Sequence, residues 1–229
     1  MYFKYFFRFF VLSILFFAKN EGIANSSQLN DFLLREEVQD RLQKLRQFTP
    51  YTSYRWYIHW SSDGKSYPST FTSTTFGHVI DIQINFWNGN SLNFSKNNSY
   101  ALYPNRLSFL KKHKWHESLN SLPGVCFYMI AMPFLDWPIT SCEKTAKMGR
   151  RCIRVLLTQA PWQAEIFLDK KFKTILAANL QNDSHSFLAS FLLKRLKKFK
   201  QGWGIKAAEF SLNKQKTTLY VDDIVVLQK

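Results

Sequence analysis

The 229-residue sequence has no apolar run long enough to cross a bilayer as a helix. It has no G-x-S-x-G, Walker A or H-E-x-x-H motif, so the sequence signatures of α/β-hydrolases, P-loop enzymes and zincins are missing. It has no zinc-finger or RNP motif, the usual markers of nucleic-acid readers. No internal repeat and no Pro/Gly/Ser-rich linker divides it, which predicts one domain. Acids are scarce, with 16 Asp and Glu against 31 Lys and Arg. Cysteines number only three (Cys126, Cys142, Cys152), so at least one cannot pair within the chain.

What the chain does have is aromatic bulk. Hydrophobic residues make up 46%, aromatics 17%, and there are 22 Phe. Such a load points to a large buried or ligand-facing apolar surface and argues against disorder.

The N-terminus reads as a secretory leader. Lys4 and Arg8 precede the apolar run Phe9 to Ala18, and Gly22-Ile23-Ala24 offers small residues for cleavage after Ala24. The rival is an uncleaved anchor, which Lys19, Asn20 and Glu21 interrupt. The expected layout is therefore a leader over 1–24 and a single domain over 25–229, exported to the periplasm. Lys4, Arg8 and Lys19 against Glu21 account for +2 of the net +15, leaving +13 on the mature chain. A basic exported protein is drawn to anionic lipid surfaces or acidic protein partners in the inner or outer membrane. Export argues against nucleic acid. A monomer is expected.

Gln28 to Phe48 predicts a helix, with Leu29, Phe32, Leu33, Val38, Leu42, Leu45 and Phe48 as its apolar stripe and Pro50 beyond its end. Tyr54 to Trp60 alternates, with Tyr54, Trp56, Ile58 and Trp60 on one face and Arg55, Tyr57 and His59 on the other. Asp63-Gly64 marks a hairpin, and Thr70 to Thr75 suits the return strand. Val79 to Trp87 alternates again, with Ile80, Ile82, Ile84 and Phe86 sharing a face. Pro104 to Leu122 fits an amphipathic helix, and Val125 to Trp137 a short helix or apolar loop able to serve as a lid. From Arg151 onward strands resume to Leu227. Cys142 and Cys152 flank a turn and either face each other as a disulfide or remain small buried thiols. The run Lys194 to Lys200 fits a solvated strand face, a membrane or acidic-partner patch, or a basic amphipathic helix.

Four blocks stand in a telling order: FLDWP (Phe134 to Pro138), Gly149-Arg150-Arg151-Cys152, FLDKKF (Phe167 to Phe172) and GWGIK (Gly202 to Lys206). Together they resemble the LolA-like outer-membrane lipoprotein-sorting proteins, mainly over Phe134 to Leu227. The resemblance implies a mostly β fold: a strongly curved, incomplete antiparallel barrel with a helical lid. It further implies a cavity for lipoprotein acyl chains or other lipid, with no catalysis, no metal and no cofactor. Members that shuttle lipoproteins carry an Arg that locks the lid to the barrel. Arg55 and Arg106 are the nearest basic candidates here, and neither sits in a matching motif.

On these readings the apolar wall is Trp56, Ile58, Trp60, Ile80, Ile82, Ile84 and Phe86, and the lid is Phe134, Leu135 and Trp137. Each is also an ordinary core candidate, since alternating aromatics usually pack under a helix. His113 and His116 lack a third ligand, so a metal is not expected. The rival functions are an envelope interaction protein with the same fold and a basic partner face, and a hydrolase that would need Cys126 beside a histidine.

Overall fold

The structure is a computed structural model, and it describes residues 26–46, 53–76, 79–97, 118–119, 122–171, 174–182, 187–200 and 202–228. The leader expected over 1–24 and most of the helix expected over Pro104 to Leu122 lie outside them.

The chain opens with helix α1 (Ser26–Arg46) and a meander of β1 (Ser53–Ser62), β2 (Lys65–Phe76), β3 (Val79–Phe86) and β4 (Ser91–Asn97). A crossing segment follows: β5 (Ser118–Leu119), β6 (Leu122–Cys126), α2 (Phe127–Ala131) and a 3-10 turn (Pro133–Asp136). A second meander ends the chain: β7 (Ile139–Lys147), β8 (Arg150–Gln159), β9 (Trp162–Asp169), β10 (Ile175–Asn182), β11 (Phe187–Phe199), β12 (Gly202–Leu212) and β13 (Gln215–Gln228).

Eleven strands form one antiparallel sheet, in the order β4-β3-β2-β1-β13-β12-β11-β10-β9-β8-β7. Pairing of β1 with β13 welds the two meanders together. The edge strands β4 and β7 do not pair with each other, so the barrel stays open. Backbone chirality twists such a sheet, and with this many strands the twist curls it around a concave side. The expected fold class is the one observed.

Local sequence explains the turns. Asp63 and Gly64 take φ of 50° and 73°, the paired left-handed conformation of a type I′ hairpin. Asn213-Lys214 and Met148-Gly149 repeat it.

Strand β6 lies across β13, β12, β1 and β11 on the concave side. Its crossing depends on Gly124. At φ +85°, a Cβ there would sit 2.7 Å from the Gln215 carbonyl oxygen, so only glycine lets the two backbones approach this closely. The Thr217 hydroxyl donates to the Pro123 carbonyl beside it.

α1 spans most of the expected helix, but its docked face is rotated from the expected stripe. Leu34, Val38 and Leu42, spaced by four, are buried, with Leu45 packed alongside. Phe32 is 57% exposed and Leu33 47%. They lie two and one residues before Leu34, about 200° and 100° around the helix, so they cannot share its face. Two arginines fasten the helix to the sheet. Arg41 donates to the Asp169 carbonyl at 3.1 Å, and Arg35 to the Thr140 carbonyl at 3.0 Å.

The disulfide reading is corrected by register. In the β7–β8 hairpin Cys142 pairs with Val155, and Cys152 with Thr145. The two thiols are three residues out of step, and all three cysteines are free. Burial raises all three thiol pKa values, Cys126 up to about 11. The Lys194 to Lys200 run lies in strand β11 and its turn, not in a helix.

Candidate functional site

The pairing register decides which side chains share the concave face, because residues directly opposite each other point to the same side. Trp56 pairs with Phe71, which pairs with Ile84. Ile58 pairs with Ser69, and Ser69 with Phe86. Tyr54 pairs with Ser73, and Ser73 with Ile82, while Thr75 pairs with Ile80. All seven wall residues therefore stand on one face of β1 and β3. Continuing across β13, Trp60 pairs with Leu219, Leu219 with Ala208, and Ala208 with Leu193, so the face runs on into the second meander. Arg55 and His59 stand on the outer face, where His59 Nδ1 meets Asp222 at 2.7 Å. Arg55 therefore cannot lock a lid on the concave side, and Arg106 lies outside the described residues.

The wall is unevenly filled. Ile58, Trp60, Ile80 and Ile84 are buried, whereas Trp56, Ile82 and Phe86 are half-buried. The rings meet at their edges: Trp56 and Phe71 are 5.7 Å apart and T-shaped, and Trp60 and Phe210 are 5.7 Å apart and tilted.

Three buried polar atoms on this face have no hydrogen-bond partner: Trp56 Nε1, Trp60 Nε1 and Ser69 Oγ. Ser69 sits opposite Ile58, between the two indoles. Each such atom forfeits about 1–3 kcal/mol that a partner would return.

The three lid candidates are buried over the second meander. Phe134, Leu135 and Trp137 are 0%, 5% and 8% exposed. The 3-10 turn that carries two of them packs on β8, at the far side of the concave face from β3. Trp137 stacks edge-on with Tyr128 and Phe134 at 6.1 and 6.2 Å. On the β3 side of the wall Ile130 and Ala131 of α2 pack with Ile84 and Leu92 together with Phe71, Ile82 and Phe86. Both fall inside the apolar segment Val125 to Trp137 expected to serve as a lid, though neither is among its named lid residues.

Two grooves flank the lid. One, of about 410 Å³, lies between Gln39, Leu42 and Gln43 of α1 and Asp136, Trp137 and Ile139. The other, of about 280 Å³, is lined by Tyr128, Pro133, Trp137, Gln159, Pro161 and Trp162. Neither is lined by the wall residues.

Cys126 is buried at the β6–α2 joint, and burial pushes its thiol up to about 11, the reverse of an activated nucleophile. Among the described residues the only histidine is His59, on the outer face. No three metal-ligating side chains cluster among the described residues.

No family model matches the chain, and no curated protein matches it in sequence. Its fold has clear counterparts among solved structures. A putative outer membrane lipoprotein-sorting protein domain from Vibrio parahaemolyticus superposes at TM-score 0.59 with 10% identity, covering 83% of this chain and 91% of that one. A DUF1329 family protein from Desulfovibrio piger gives TM-score 0.60 with 12% identity, covering 82% and 91%. A LolA superfamily protein from Nitrosomonas europaea gives 0.54 with 7% identity, covering 82% and 91%. The chain thus has a LolA-like fold, and at these identities the likeness is one of fold.

Proposed function

We propose that this chain is an exported, non-catalytic carrier that holds lipid acyl chains, such as those of a lipoprotein, against the concave face of β1 to β3 in the periplasm. The single observation that carries the reading is the state of that wall. Trp56, Ile82 and Phe86 are only half covered, and Trp56, Trp60 and Ser69 each hold a buried polar atom unpartnered. A finished structural core pairs its buried polar atoms, and three here are left open. A guest chain would complete the burial at about 0.8 kcal/mol per CH₂, and its ester groups could accept from the indoles. Bulky aromatics suit a guest of variable length, since they offer area without a fixed shape. The basic surface also favours a second reading, an envelope interaction protein that docks an acidic partner and holds no lipid.

The test is native mass spectrometry of protein purified from membranes, with displacement of a fluorescent fatty acid as a second measure. Co-purified lipid and saturable displacement are expected. Protein that carries no lipid and takes up no fatty acid would sink the carrier reading and favour the second.

A further inference from the structure

The two ends of the barrel differ in charge. At one end lie the β7–β8, β9–β10 and β11–β12 turns. Register sets them side by side. Cys152 at the start of β8 pairs with Asp169 at the end of β9, Ile175 at the start of β10 pairs with Leu168, and β11 runs on past β10 to Phe199. The tips carry Lys147, Arg150, Arg151, Lys170, Lys171, Lys197, Lys198 and Lys200. The only carboxylate within those tips is Asp169, which is buried and paired with Arg150 at 3.1 Å. At the other end the hairpin turns carry Asp63 and Lys214, flanked by Lys65 and Lys216.

Among the described turns and strand ends the exposed apolar side chains divide the same way, while Phe32 and Leu33 are exposed on α1 and Tyr57 and Val225 on the strands. Met148 at the β7–β8 tip is 52% exposed, Trp203 at the start of β12 is 63% exposed, and Leu227 near the end of β13 is 42% exposed. All three stand at the basic end. No large apolar side chain is exposed in the described turns of the opposite end. A cleft of about 600 Å³ opens between Arg150, Arg151, Asp169, Lys170 and Lys171, where cations outnumber the one carboxylate.

We propose that this rim docks on an anionic phospholipid bilayer, with Met148 and Trp203 entering the headgroup layer and the surrounding lysines and arginines meeting lipid phosphates. Charge complementarity selects the occupant. Anionic lipid surfaces attract clustered cations, and a tryptophan half in water is the side chain the membrane interface favours. Cations interleaved with protruding apolar tips suit a soft surface that the tips can enter. The inference goes beyond the carrier reading and stands without it, because it uses none of the wall residues.

The test is sedimentation of the mature chain with vesicles of phosphatidylcholine alone or mixed with phosphatidylglycerol. The expected result is binding to the mixed vesicles only, weakened by added salt. Each cation near such a surface contributes roughly fivefold in partitioning. Lys197→Glu with Lys198→Glu should therefore reduce binding more than tenfold, while Lys65→Glu with Lys214→Glu at the opposite end leaves it unchanged. Brominated lipid should quench the wild type more than Trp203→Ser. Equal binding to neutral vesicles, or equal loss from the opposite-end pair, overturns the proposal. So does an absence of vesicle binding, which would point instead to an acidic protein surface. Fatty-acid uptake in vesicle-free solution is unaffected by the rim variants, so failure here and failure of the carrier reading are told apart.

Discussion

The concave side of the sheet has two halves, and they are filled differently. Across β8 to β12 the inward residues are mostly aliphatic with small gaps, and all are buried: Val155, Leu157, Ala164, Ile166, Ala178, Leu180, Ala189 and Ala208, with the aromatic pair Phe191 and Phe210 among them. Alanines leave room for covering side chains to sit close, and α1 and the 3-10 turn close this half. Across β1 to β3 the inward residues are larger and less evenly covered: Ile58, Trp60, Ile80 and Ile84 are buried, Tyr54, Trp56, Tyr67, Phe71, Ile82 and Phe86 remain half-buried, and the described cover includes β6 on β1 and Ile130 and Ala131 of α2. One face thus contains both a finished core and an unfinished one. A guest would add most where burial is incomplete, which is why the carrier reading places it on β1 to β3.

The comparison can be broken most directly by truncating one side chain in each half. Phe134→Ala should cost about 3–5 kcal/mol, because Phe134 is completely buried over β8. Trp56→Ala should cost clearly less in stability while weakening fatty-acid binding. Denaturant midpoints read the first difference and displacement titrations the second. Equal stability losses would mean that both halves are core.

Overpacking gives the next largest effect. Ala178→Leu should destabilise by about 1–3 kcal/mol in the tight half, whereas Ile82→Phe in the loose half should change stability little. Matched thermal melts decide it.

Cys126, at the β6–α2 joint beneath the sheet's cover, adds a pH dependence. Burial holds its thiol protonated in the fold up to about 11, against 9.0 for the ordinary group. The unfolded chain loses that proton first. The stabilising contribution is therefore complete below pH 9 and is lost as pH rises to about 11, at roughly 1.4 kcal/mol per pH unit. Cys126→Ala should remove this slope, as denaturation at a series of alkaline pH values would record.

Ser69→Ala should have the smallest effect. It deletes a buried hydroxyl without a partner, so stability should hold or rise by up to about 1 kcal/mol. If it falls by more, the hydroxyl has a partner in solution and the loose half is better satisfied than it looks.

Much of this molecule was legible from residue order. The alternation in Tyr54 to Trp60 and in Val79 to Trp87 showed two strands and sorted their side chains into two faces without saying which is concave, and Asp63-Gly64 marked the turn that follows the first. The apolar segment ahead of Pro138 was readable as a short helix or loop, and α2 with the 3-10 turn is both. The helix face was less legible, because Phe32 and Leu33 fit a loose apolar stripe as well as Leu34 does. The Cys142–Cys152 pair was plausible from the turn between them and wrong by three residues of register. Phe134, Leu135 and Trp137 are buried over β8, a place that residue order alone does not show.

Periodicity is a property of neighbours along the chain, so strands, turns and the division of each strand into two faces were set locally, and the curl of the assembled sheet decided which face is inward. Contacts between elements far apart in sequence are another matter. The weld of β1 to β13, the docked face of α1, the step between two thiols and the gathering of eight cations at one rim all depend on which strand lies beside which. Local residue order leaves that choice open. The assembled sheet makes it, because one pairing register buries the most apolar surface while keeping the backbone hydrogen-bonded.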